Sequence, residues 1–143
     1  MITDDLLRLS TAQAVTASAV SENTIDLGVT RDIGEGKPLY MHFNIDANFA
    51  TATSVNFEII TSAAAALTSP TVISSSGTIV IALLIIGKSI VVPIPPQLAS
   101  LGQRYLGARY VITGSSATAG KVTTDIVETV QDGEKFHASG FVV

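Results

Sequence analysis

The residues of this chain that could carry chemistry are its two histidines, its carboxylates and its arginines, and their spacing decides what they could do. A general base or a metal ligand needs partners within reach. His42 lies on the polar side of an alternating stretch and His137 near the last residue. Neither has a local set of partners, so both read as surface or hydrogen-bonded residues. A nucleophile elbow requires G-x-S-x-G; Gly114-Ser115-Ser116-Ala117-Thr118 begins it and fails at Thr118. A phosphate loop requires G-x-x-x-x-G-K-[ST]. Gly87-Lys88-Ser89 supplies its end, but Ala82 stands at its opening, and Leu83-Leu84-Ile85-Ile86 fills an interior that belongs in a core. Gly34-Glu35-Gly36 begins a dinucleotide fingerprint, and Leu39 stands where its third glycine is needed. Asp125 and Glu128 are spaced so that on a strand they face opposite ways and cannot converge on a metal. Asp4 and Asp5 read as helix-start or solvent residues. Arg8, Arg31, Arg104 and Arg109 carry fork-shaped groups able to hold a partner's carboxylates; the plainer expectation for each is a surface salt bridge. The expectation is therefore no catalytic site, no metal site and no cofactor.

The composition narrows the function further. The chain has no cysteine, which removes disulfides, thiolate catalysis and cysteine-based zinc sites. Its formal net charge is −4, and no basic stripe with interleaved aromatics is present, so nucleic acid is not an expected partner. Hydrophobic residues make up 47% and charged residues 14% of the 143 positions, a balance that excludes a disordered chain and suits one domain. Acids stand near the N-terminus where a signal peptide would have bases. The longest apolar run, residues 79–87, falls well short of the roughly 20 residues of a membrane helix, so no membrane partner is expected.

The elements that must position these residues are short strands. Residues 39–46 alternate, with Leu39, Met41, Phe43 and Ile45 on one side and Tyr40, His42, Asn44 and Asp46 on the other. Residues 54–61 put Val55, Phe57 and Ile59 inward and Asn56 and Glu58 outward. Residues 104–113 put Leu106, Ala108, Tyr110 and Ile112 on one face. Residues 121–131 do the same with Val122, Ile126 and Val130. Residues 79–86 read as a buried central strand, because an exposed edge of that sequence would pair with other chains. Gly87-Lys88 reads as a tight hairpin leading to residues 89–94, and Ser74-Ser75-Ser76-Gly77 as a turn. Residues 32–38, 114–120 and 131–134 read as loops or turns, and residues 136–143 as a final strand. Thr3-Asp4-Asp5 could cap one turn over residues 6–9, and residues 96–101 could form another. The expected fold is an all-β, single-domain sandwich or barrel of about eight or nine short strands, spanning residues 1–143 with an N-terminal arm over about residues 1–13.

Several stretches together resemble the jelly-roll capsid cement, or decoration, proteins of tailed, podovirus-type bacteriophages. They are Leu9-Ser10-Thr11-Ala12-Gln13-Ala14-Val15-Thr16-Ala17 followed by Asn23-Thr24-Ile25-Asp26-Leu27-Gly28; Pro93-Ile94-Pro95-Pro96; Arg104-Tyr105-Leu106; Arg109-Tyr110-Val111-Ile112-Thr113-Gly114; and Thr118-Ala119-Gly120-Lys121-Val122. The resemblance implies a jelly roll and a non-enzymatic virion protein. Such a protein is made in the host cytoplasm and binds the outer face of an assembled head, where it ties neighbouring major capsid protein subunits together. It also implies a homo-oligomer, a dimer ahead of a trimer. Candidate contact residues with the capsid or a second copy are the apolar ends and the arginines: Ile2, Leu6, Leu7, Arg8, Leu9, Arg31, Arg104, Arg109, Phe141 and Val143. The rival reading is a β-sandwich module of a virion that recognises carbohydrate or a host surface. That reading wants exposed loop aromatics, whereas the chain has no Trp and places Phe43, Phe57 and Tyr110 on core faces.

Overall fold

A computed structural model describes residues 3–29, 36–96 and 103–129 of the chain. A 3-10 turn, Asp5–Leu7, is capped by the Asp4 carboxylate, which accepts from the Leu6 N–H at 2.9 Å. Nine strands follow: β1 Arg8–Ala14, β2 Ala19–Val20, β3 Ile25–Asp26, β4 Leu39–Ala50, β5 Ser54–Ser62, β6 Thr71–Val80, β7 Ser89–Ile94, β8 Tyr105–Thr113 and β9 Ala119–Val127. All pairings are antiparallel. One sheet runs β1-β9-β4-β7 and the other β2-β8-β5-β6, with β3 pairing β8 beside β2. β2 and β3 lie along one edge of β8, at Tyr110 and Arg109 and then at Leu106 and Tyr105, so they act as a single broken strand. With β2 and β3 counted as that one broken strand, each connection but β5 to β6 passes to the opposite sheet, which is the wrapping of a jelly roll.

The alternating faces meet between the sheets. Met41, Phe43, Ile45, Val55, Phe57, Ile59, Ala108, Tyr110 and Val122 are fully enclosed there. Phe43, Phe57 and Tyr110 form a ring cluster, with centroids 5.2 Å apart for Phe43–Phe57 and 6.2 and 6.1 Å for their contacts with Tyr110. The Tyr110 hydroxyl reaches across to Ser10 Oγ on β1 and Thr124 Oγ1 on β9, both at 2.7 Å. Burial without water makes ionisation costly, so its pKa is pushed up to about 12.

Three expectations are corrected. Residues 79–86 are not a central strand. β6 ends at Val80, a second 3-10 turn covers Ile81–Leu83, and of the run only Leu84 is fully buried. An apolar run without alternation states that something is buried but does not specify which side. Nor does Gly87-Lys88 close a hairpin, since β6 and β7 belong to different sheets. Second, Ser74-Ser75-Ser76-Gly77 lies inside β6. The register against β5 slips between Asn56 and Glu58, and Gly77 takes φ +73°, so the turn-like residues make a bulge in an edge strand. Third, the N-terminal arm is shorter than expected, because residues 8–14 form β1 and Leu9 is sealed in the core. All but the first residue of the expected turn over residues 96–101, most of the loop before Pro38, Val130, and the final strand with His137 lie outside the described residues.

Candidate interaction surfaces

The arginines are placed by strand register. On the outer face of the second sheet, Glu58 of β5 pairs directly with Arg109 of β8. Arg109 Nε and Nη2 donate to Glu58 Oε2 at 2.7 and 2.6 Å, while Asn56 donates to the other oxygen at 2.9 Å. Glu58 therefore faces outward as expected yet is buried. Arg104 grips Asp26 with two bonds, of 2.6 and 2.7 Å, and its guanidinium lies 5.2 Å from the Tyr105 ring centre. Arg8 Nε donates to Asp125 at 2.8 Å. Lys37 meets Glu128 at 2.8 Å. Arg8, Lys37 and Arg104 are each held above their ordinary pKa, first by the hydrogen bond to the carboxylate and then by its charge. Arg8, Arg104 and Arg109 thus hold carboxylates of their own chain.

His42 has partners that its sequence neighbourhood does not supply. On the outer face of the first sheet, Arg8 of β1 stands opposite Asp125 of β9, and Asp125 stands opposite His42 of β4. The His42 Nε2 is hydrogen-bonded to Ser89 Oγ at the start of β7. The row links all four strands of the sheet. Ser, His and Asp are the residue types of an acyl-transfer triad, but His42 and Asp125 are both buried. None of the three lines the groove described below or the smaller cavity beside Lys37 and Tyr40. The row reads as a cross-strand polar ladder. Among the described residues no three His, Cys, Asp or Glu side chains are grouped to hold a metal ion.

The apolar surface lies at the two ends of the sandwich. At one end β4 begins, β7 and β9 finish, and Ile25 and Leu27 cross the opening. There Leu7, Leu27, Leu39, Ile94, Leu106 and Val127 help line a groove of about 570 Å³, and Lys37 and Glu128 stand at its rim. Leu6, one residue before the groove-lining Leu7, is 83% exposed. Of the expected contact residues, Leu6, Leu7, Arg8 and Arg104 are therefore gathered at this end. Arg109 lies on the outer face of the second sheet. Leu9 is core, because the strand turns that side chain inward. Ile2, Arg31, Phe141 and Val143 lie outside the described residues.

At the opposite end the residues that follow β6 present Leu83, Ile85 and Ile86 to solvent. Sequence reasoning missed this surface by assigning the run to the core. The signal available was the lack of period-two alternation in Leu83-Leu84-Ile85-Ile86 just before a glycine.

In comparison with known families the chain matches the family described as Bbp16 over residues 9–126. No curated protein matches the chain.

Proposed function

The chain belongs to the Bbp16 family, and from that premise and its surfaces we propose that it is a structural virion protein: a cement protein of a phage head. In this reading it binds the outer face of the assembled shell, joins neighbouring major capsid protein subunits and associates with further copies of itself. The observation that carries the reading is the exposed Leu6 beside the apolar groove, on a turn fixed by the Asp4 cap. Such a surface recognises a partner by shape and apolar burial, at about 25 cal/mol per Å² removed from water. Ion pairing contributes little to it, since the nearby Arg8 and Arg104 already hold their own chain's carboxylates. Individual contacts of this size are weak, and cementing does not need strong ones. One oligomer gripping several subunits gains effective concentration, with avidity rising ~10²–10⁴-fold. Binding the assembled shell but not its parts then stabilises the shell by mass action. The aromatic cluster Phe43, Phe57 and Tyr110 is spent on the core, which argues against a carbohydrate-stacking module.

The test is reconstitution on heads stripped of this protein. The wild-type chain is expected to occupy them and raise their melting temperature. A variant lacking residues 1–7 is expected to stay folded and bind more weakly. That boundary is set by Leu9, whose removal would open the core instead. Absence of wild-type binding would end the proposal.

A further inference from the structure

The apolar end opposite the groove has a use of its own. Val80, Leu83, Ile85 and Ile86 are each between 51% and 66% exposed, and they sit within seven positions of one another. This exposure is built in rather than frayed. Leu84, in the middle of the run, is fully buried and anchors it. The Phe49 N–H donates to the Leu84 carbonyl at 3.2 Å, and the Ile86 N–H donates to Asn48 Oδ1 at 2.6 Å. Ile45 and residues 87 and 88 exchange two further bonds, Gly87 N–H to Ile45 O at 2.8 Å and Ile45 N–H to Lys88 O at 2.9 Å. Gly87, at φ +81°, makes the reversal that returns the chain to β7. The segment is thus bolted to β4 in one conformation, so little freedom is left to lose on binding.

The surroundings select the partner. The other loops of this end, residues 15–18, 51–53 and 114–118, are bonded to one another and contain no charged residue. Lys88 is the single charge of residues 80–89. Depletion of charge around exposed aliphatic groups is the composition of a protein–protein contact core. A lipid surface would instead be met by a cluster of Lys and Arg. Four partly exposed side chains fall well short of the roughly 800 Å² per partner of a stable interface, so the patch is too small to hold a dimer by itself. It suits a contact repeated many times on a lattice.

We infer that residues 80–86 form a rigid apolar plug that seats in an uncharged or weakly acidic depression on an assembled protein shell, as a second foot at the far end of the molecule from Leu6 and the groove. This rests on the proposed function, because the lattice is the phage head. A molecule that cements two subunits needs two separated contacts, and the two ends of the sandwich supply them.

The experiment uses the full chain and stripped heads, with Leu83→Ser/Ile86→Ser and, separately, Ile86→Glu. Both variants alter solvent-facing groups and are expected to melt and sediment as the wild type does. Their apparent affinity for heads is expected to fall at least tenfold. If the wild type binds heads and both variants bind equally well, the plug is overturned and the proposed function stands. If the wild type does not bind, the proposed function falls and takes the plug's partner with it. Wild-type flotation with phosphatidylcholine–phosphatidylglycerol vesicles, lost in the variants, would overturn the inference in favour of a lipid surface. A shift of the variants to a smaller sedimenting species would overturn it in favour of a second copy.

Discussion

The two ends of the sandwich leave apolar side chains in water in opposite ways. At the end with the N-terminal turn the apolar residues line a hollow, and charge surrounds it: Asp4, Asp5, Arg8, Asp26, Lys37, Arg104 and Glu128 are all there, several already paired. At the other end the apolar residues protrude, and Lys88 is the one charge in the loops that carry them. The first arrangement accepts a protruding group by apolar burial, inside a rim whose charges are mostly paired with one another. The second offers a protruding group and discriminates by shape. The difference follows from how the chain closes each end. At the groove end the strands of each sheet stop almost level, with Leu39 opposite Ile94, Tyr40 opposite Val127 and Ser62 opposite Tyr105, and the hollow stays open between the two sheets. At the far end the loops bond to one another, Thr118 N–H to Ala50 O at 3.1 Å and Ala117 N–H to Thr16 O at 2.9 Å, so the interior is sealed and surplus side chains are pushed outward.

The largest expected effect separates what anchors the protruding end from what it displays. Leu84→Ala empties a fully buried site and should cost about 2–5 kcal/mol in urea unfolding. Leu83→Ser, one residue away and exposed, should stay within about 0.5 kcal/mol. Equal losses for the two would erase the distinction between anchor and plug.

The next effect concerns the frame that keeps the ends apart. Tyr110→Phe removes the buried partner of the Thr124 hydroxyl, while Ser10 keeps its bond to Gln13 Oε1, and a cost of about 1–3 kcal/mol is expected, shared by probes at either end. The same phenol sets an alkaline limit. Its folded pKa, about 12, lies above the ordinary value near 10, so the folded state holds the proton more tightly. That contribution is complete below about pH 10 and is lost as the pH rises toward 12. Circular dichroism during an alkaline titration should show unfolding in that window, and Tyr110→Phe should lack this component of the pH dependence. A Tyr110 titrating freely in the folded chain would contradict its enclosure.

Smaller still are changes at the charged rim. Leu6→Ser/Leu7→Ser should leave the melting temperature nearly unchanged and weaken head binding severalfold, measured by occupancy on stripped heads. Asp26→Asn, which loosens Arg104 in a half-exposed pair, should shift the urea midpoint too little to resolve, and 1 M salt should mask even that. A large loss from Asp26→Asn would mean that the groove end is held by charge and not by packing.

The amino-acid order alone determined the faces of the long strands. Residues 39–46, 54–61 and 104–113 alternate, and Met41, Phe43, Val55, Phe57, Leu106 and Tyr110 are buried as the alternation requires. Period two is a local property, so it survives without knowledge of the partner strands. The two-sheet sandwich agrees with the fold expected from that alternation, and its jelly-roll wrapping with what the family resemblance implied. Three things were decided by tertiary structure. Strand register set Arg109 against Glu58 and the Arg8–Asp125–His42–Ser89 row, because it joins residues far apart in sequence. The slip at Gly77 turned an apparent turn into a bulge, because only pairing with β5 distinguishes the two. The eight apolar residues from Ile79 to Ile86 were sorted last. Hydrophobicity is non-directional, so the sequence could state that the run avoids water, while the sealed loops of the far end admitted Leu84 and left Leu83, Ile85 and Ile86 outside.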